Sequence, residues 1–148
     1  LPTHQTAMKP VDAALWKKVA PVLDQSALRP PTVAEVASSV GEDAKRIESF
    51  LVRIARQGLL VRVSPNRFLR PDALRRLADM AENLAEEDAQ GLLTVKAFRD
   101  RSEIGRNLTI EVLEYFDRIK LTQRVGEARK LLRPAKSALG GTDRSGSV

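Results

Sequence analysis

Residues 32–69 align with residues 94–131 of the same sequence at an offset of 62, without a gap. Nine of the 38 positions are identical: Thr32/Thr94, Val33/Val95, Leu51/Leu113, Arg56/Arg118, Leu59/Leu121, Arg62/Arg124, Val63/Val125, Arg67/Arg129 and Leu69/Leu131. Apolar character also holds at Val36/Phe98, Phe50/Val112 and Ile54/Phe116. A repeat in which core-type positions and arginines both recur points to two copies of one supersecondary unit. Two copies read as tandem domains rather than a solenoid, so the 148 residues are divided between two small cores.

Each copy parses the same way. In the first, 11–24 carries Leu15, Val19, Val22 and Leu23 on one helical face, with Trp16 beside it as a packing anchor. After Pro30-Pro31, Thr32 and Glu35 form a capping box for a short helix over 33–39, and Gly41 marks the turn. Glu42 and Asp43 open a helix that buries Ile47, Phe50, Leu51 and Ile54 and stops at Gly58. A strand over 59–64, a Pro65-Asn66 turn and a return over 67–70 complete the copy. In the second copy, Pro71 begins a helix to about residue 88 with Leu74, Leu77, Met80, Ala81 and Leu84 as its apolar stripe. Thr94 caps a short helix over 95–101, Gly105 makes the turn, and Arg106 opens a helix that buries Leu108, Val112, Leu113 and Phe116. A hairpin over 121–125 and 129–132 turns at Gly126.

Helix, short helix, turn, helix, hairpin is the winged-helix order. The expected fold is therefore mainly α with small β-hairpin wings, as two tandem winged-helix domains. The expected divisions are a flexible leader over 1–10, domains over 11–70 and 71–134, and a disordered Gly- and Ser-rich tail over 135–148.

Composition narrows the chemistry. Without cysteine there is no disulfide, thiol nucleophile or thiolate metal site, and the single His4 makes no metal site. No GxxxxGK[ST] loop is present, so no P-loop chemistry is expected from these residues. No apolar run approaches the ~20 residues of a membrane span, and there is no signal-peptide pattern. A soluble, cytoplasmic, non-enzymatic chain is expected, and its start at Leu1 suggests a piece of a longer protein. The net charge of +6 favours an anionic partner. That charge is uneven: two basic stretches, 1–70 and 92–134, flank an acidic one over 71–91.

The most specific stretch is 98–126: Gly105-Arg106-Asn107 at the turn, an apolar helix ending Leu113-Glu114-Tyr115-Phe116-Asp117-Arg118, and Thr122-Gln123-Arg124-Val125-Gly126 in the hairpin. It resembles the last winged-helix domain of the selenocysteine-specific elongation factor family, SelB. The resemblance is strong over about 35 residues, while residues 8–92 are compatible with the preceding winged helix of that family. It implies an mRNA-binding region that grips the tip of the SECIS hairpin and so directs selenocysteine incorporation at UGA. It also implies an N-terminal GTPase part, absent here, that uses GTP and Mg and carries selenocysteyl-tRNA to the ribosome. Asn107 departs from the basic residue of many relatives, although an amide still donates to phosphate or a base edge.

The candidate RNA contacts are Arg106 foremost, with Gly105 and Asn107 beside it, then Lys96, Arg99 and Arg101 on the short helix, and Arg124, Arg129 and Lys130 in the wing. A cation at a helix N-terminus opposes the helix dipole, which suggests that Arg106 serves something other than the helix. For Lys96, Arg99 and Arg101 the alternative is a salt-bridged surface. For Arg124 and Arg129, which recur as Arg62 and Arg67, it is a shared structural role. Tyr115 reads as core or core edge rather than a base-stacking platform. Glu111, Glu114 and Asp117 read as a solvated or salt-bridged face. Because an RNA major groove does not readily admit a helix, an end-on contact by the 105–107 corner with an exposed loop is expected. A winged-helix DNA-binding regulator and a protein-interaction module are the alternatives.

Overall fold

Pro10 opens the first helix, α1 (Pro10–Asp24), at a position whose N–H would have no helical partner. The structure is a computed structural model that describes residues 8–26 and 28–139. The described chain is mostly helical with two small antiparallel sheets. It divides into two compact units, with the changeover between Pro71 and Asp72.

In the first unit α1 is followed by α2 (Val33–Val40), α3 (Ala44–Arg56), β1 (Val61–Ser64) and β2 (Arg67–Leu69). The capping box at α2 forms in both directions: the Thr32 hydroxyl accepts from the Glu35 N–H at 3.2 Å, and Glu35 accepts from the Thr32 N–H at 2.8 Å. Gly41 ends α2 in the left-handed region at φ 72°, which a residue without Cβ adopts at no steric cost. Leu15, Val19 and Leu23 pack with Val36, Phe50, Leu51, Ile54, Leu60 and Phe68 in one core. Trp16 anchors its edge, 6.3 Å from Phe50 between ring centroids. Asp12 is 4% exposed and accepts two hydrogen bonds from Arg53, at 2.9 and 3.0 Å, which ties α1 to α3.

The second unit contains most of α4 (Pro71–Glu87), then β3 (Leu92–Thr94), α5 (Val95–Ser102), α6 (Arg106–Arg118), β4 (Thr122–Val125), β5 (Ala128–Leu131) and a last turn, α7 (Ala135–Ala138). Small residues, Ala73, Ala78, Ala81 and Ala85, share the buried face of α4 with Leu74 and Leu77, while Met80 and Leu84 are only partly buried. Phe98 of α5 meets Phe116 of α6 edge to face, with centroids 6.3 Å apart.

Three features differ from the sequence expectation: Pro10, placed in the expected leader, opens α1 with Met8 packed against the first core, and two lie in the second unit. The second sheet has three strands, in the order β3-β5-β4, where only a hairpin was expected. At the equivalent place the first copy has Pro30-Pro31 where the second has Leu92-Leu93. Proline has no N–H for a ladder, so the first unit keeps two strands. The third difference is at residue 135, where the expected disordered tail begins. Ala135 is fully buried, its N–H donates to Glu82 at 2.9 Å, and α7 follows. Residues 1–7 of the expected leader and 140–148 of the expected tail lie outside the described residues.

Candidate nucleic-acid interface

The candidate site is built around the turn between α5 and α6. Thr94 caps α5 by accepting from the Ala97 N–H at 3.1 Å. Glu103 closes α5 in the left-handed region at φ 59°. Ile104 is buried, and Gly105 then takes φ 88°, ψ 165°. That conformation is open essentially to glycine alone. The Gly105 carbonyl accepts both the Thr109 N–H, at 3.1 Å, and the Thr109 hydroxyl, at 2.6 Å, so the turn is held from inside.

Arg106 and Asn107 are the first two residues of α6, and both are exposed. Among the described residues neither side chain has a hydrogen-bond or ion-pair partner, and no side chain caps the helix. The first N–H groups of α6 are thus left to an outside acceptor, beside a free guanidinium. The first unit is different at the same place. Asp43 stands where Gly105 stands, and its carboxylate accepts from the Lys45 and Arg46 N–H groups at 3.0 and 3.3 Å. One helix N-terminus carries its own anion, and the other does not.

The α5 cations are engaged to different degrees. Lys96 is 2.8 Å from Asp100 and holds the Asp100 carboxyl below its ordinary pKa. Arg99 lies 4.0 Å from the same carboxylate, and Arg101 pairs with Glu87 at 2.8 Å. These are exposed pairs, which contribute little to stability, and a phosphate can replace the carboxylate in them. Register connects α5 to the wing: Thr94 pairs with Ala128, so the start of α5 adjoins the tip of the β4–β5 hairpin. The end of α5 leads into Gly105. Lys96 and Arg99 therefore lie between the wing tip and the corner, along a helix of about 12 Å.

The wing separates the remaining candidates. Arg124 is exposed and, among the described residues, has no partner. Lys130 is also exposed, but it pairs in register with Gln123 and Leu92 and so faces the other side of the sheet from Arg124. Arg129, the other expected contact of the wing, is placed inside the protein. It is 4% exposed, and its guanidinium is taken up by Asp117 at 3.1 and 3.2 Å. Nor do the recurrent arginines share one role, because the first wing carries a bulge between Arg62 and Ser64. Phe68, not Arg67, therefore faces Arg62, as Arg129 faces Arg124. Arg62 pairs with Glu48 and lies over the Phe68 ring, while Arg67 donates to the Pro30 carbonyl.

Tyr115 is half-buried, with the Arg118 guanidinium 5.4 Å from its ring centroid and Phe116 at 6.5 Å, a core-edge position. Arg133, which the sequence did not single out, donates to the Ile119 and Lys120 carbonyls at 2.6 and 3.1 Å and closes the end of α6.

Residues 85–131 match the family model described as "Elongation factor SelB, winged helix". The selenocysteine-specific elongation factor of Escherichia coli (strain K12) is 34% identical over 91% of this chain, and that of Haemophilus influenzae is 26% identical over 85%. The chain spans about a fifth of the length of these curated relatives: 21% and 20%. Among solved structures, the mRNA-binding domain of elongation factor SelB from E. coli, in complex with SECIS RNA, matches with a TM-score of 0.76 and 32% identity. That match covers 84% of this chain and 99% of that one.

Proposed function

The chain belongs to the SelB family of selenocysteine-specific elongation factors, and from that premise we propose that it is the mRNA-binding region of such a factor, recognising a SECIS hairpin through its second unit. In this reading both units are winged-helix domains, residues 11–70 and 71–134. The second grips the hairpin, while the first sets the reach between hairpin and ribosome. The longer factor supplies the GTPase part, with GTP and Mg2+, and delivers selenocysteyl-tRNA in the cytoplasm. These residues themselves perform no catalysis.

The observation that carries the reading is the uncapped corner at Gly105. Arg106, Asn107 and the free N–H groups of α6 point a compact donor set at solvent, where the first unit has placed a carboxylate. Phosphate fits such a set, and so does an exposed loop base. Lys96, Arg99 and Arg124 extend the positive surface along α5 to the wing. Arg101 and Lys130 lie at its margins, and Arg129 works inside the protein. Duplex DNA reading along α6 is disfavoured by Glu114, which is exposed on that helix.

The test compares affinity for a SECIS-like hairpin, a loop-scrambled hairpin and duplex DNA at two salt concentrations. The SECIS-like hairpin is expected to bind tightest. Arg106→Ala is expected to weaken it by about 1–3 kcal/mol with the fold intact. Equal binding to all three ligands removes the specific reading.

A further inference from the structure

The interior of the second wing is polar where that of the first is apolar. In the second unit Asp117, near the end of α6, accepts from the Thr122 hydroxyl of β4 at 2.6 Å and from Arg129 of β5 at 3.1 and 3.2 Å. Thr122 is 1% exposed and Arg129 4%. The repeat offset puts Ala55 and Leu60 in place of Asp117 and Thr122, and the register of the first hairpin puts Phe68 in place of Arg129. Leu60 and Phe68 belong to the first core, and Ala55 packs against it.

Stability does not account for this exchange. A buried ion pair gives no general advantage over well-packed apolar side chains, and the first unit shows the same architecture closed with such side chains. Direction does account for it. Apolar contact is non-directional, whereas an arginine–carboxylate fork fixes both partners in plane and in distance. The fork and the Thr122 hydroxyl together bind both strands of the wing to one carboxylate of α6. From the other side, Leu93 of β3 pairs with Arg129 in the ladder. Arg124 sits opposite Arg129 and borders the same open recess as Asp117 and Thr122. Among the described residues its side chain has no partner, but the strand that carries it is paired to β5 and tied to Asp117 through Thr122.

We propose that Asp117, Thr122 and Arg129 are positioning residues for RNA recognition, holding the second wing against α6 so that Arg124 meets the hairpin backbone without a prior ordering step. The proposal rests on the RNA-binding reading above. A contact already held in place avoids the entropy of ordering it on binding.

The test transplants the residues of the first wing into the second, as D117A/T122L/R129F in the full chain, and combines this with Arg124→Ala. The triple variant is expected to unfold cooperatively near the wild-type temperature and to bind the hairpin about tenfold more weakly, a coupling of the size seen between residues of one network. Arg124→Ala is expected to weaken the wild-type protein several-fold and the triple variant by less than twofold. Wild-type affinity in the triple variant overturns the proposal, as does a full Arg124→Ala effect in that background. Should the triple variant not fold, Arg129→Lys keeps the charge and removes the fork. An Arg124→Ala effect unchanged beside it overturns the proposal, and a diminished one supports it. The RNA reading fails separately: it falls if the wild type shows no preference for the hairpin, whereas preference with no coupling to Arg124 removes only the role of the network.

Discussion

Replacing Gly105 with aspartate would give the second corner the helix cap of the first, and it separates the needs of the fold from those of the ligand. Gly105 sits at φ 88°, ψ 165°, and Asp43 caps α3 at φ −68°, ψ 139°. A side chain held at the glycine conformation costs about 1–3 kcal/mol. No heavy atom lies within 4 Å of a Cβ built there, so the cost is conformational rather than steric. An aspartate that caps the Asn107 and Leu108 N–H groups recovers about 1 kcal/mol. The second unit should therefore lose about 0–2 kcal/mol in stability, read by urea denaturation. Binding should suffer more. The carboxylate occupies the donors proposed for RNA and places a negative charge near a phosphate. At about 4 Å this repulsion is about 1 kcal/mol in bulk water and about 4 kcal/mol at the effective dielectric of a protein surface. Hairpin affinity should fall by that range at about 50 mM salt and less at about 200 mM, where charges are better screened. Gly105→Ala carries the strain without the charge and should fall between the two. Gly126→Ala, at φ 65° in the wing turn, should cost about 1 kcal/mol of stability and leave the corner untouched. A Gly105→Asp protein that is folded and binds the hairpin within about twofold of wild type would refute the assignment of the corner, since 1 kcal/mol already corresponds to about fivefold.

Three further outcomes are expected. Arg101→Ala should cost hairpin binding less than about 0.5 kcal/mol, against about 1–3 for Arg106→Ala, because Arg101 pairs with Glu87 at the margin of the surface; equal losses in filter-binding titrations would argue against an end-on contact. Asp12→Asn should destabilise the first unit by about 1–3 kcal/mol at neutral pH. The Arg53 hydrogen bond holds the Asp12 carboxyl below its ordinary value of 3.8, so the wild-type advantage is full above that value and fades as pH falls through the depressed one. Denaturation curves that keep the same gap between the two proteins down to pH of about 2 would contradict this. Phe116→Ala, which removes a fully buried ring packed edge to face on Phe98, should cost about 3–5 kcal/mol in calorimetry of the second unit.

Much of the architecture is legible in the sequence because its signals are local. Thr32 with Glu35, Gly41 and Pro71 each set a helix boundary by satisfying, or by not needing, a particular backbone group. The third strand is less legible because its evidence is a difference between copies. Leu92-Leu93 carries weak strand character alone, and only Pro30-Pro31 at the matching place shows what has been released. The burial of Arg129 is not legible for a related reason. Identity at a repeat offset suggests equivalence, but the bulge near Arg62 shifts the pairing by one residue, and alternation then reverses which side chain faces inward. The engagement of Arg101 also depends on a spatial neighbour, Glu87, that lies on another helix. Arg106 is the easier reading, since a lone cation at the N-terminus of a helix runs against the dipole whatever surrounds it.

The exchanges between the copies fall into a pattern that folding alone does not require. Leu51/Leu113, Val36/Phe98 and Ile54/Phe116 keep both cores apolar. Asp43/Gly105 gives up a helix cap, Pro30-Pro31/Leu92-Leu93 adds a strand, and Ala55, Leu60 and Phe68 give way to Asp117, Thr122 and Arg129. The first of these lowers helix stability, and the last is at best neutral in stability. Each has a counterpart in the proposed binding surface: donors left unpaired at the corner, and a wing fixed to α6 and to β3. A unit adapted only for support would have retained the cap. The first unit did retain it, with Asp43 on the N–H groups of α3, and its corner therefore offers an anionic ligand a carboxylate where the second offers Arg106.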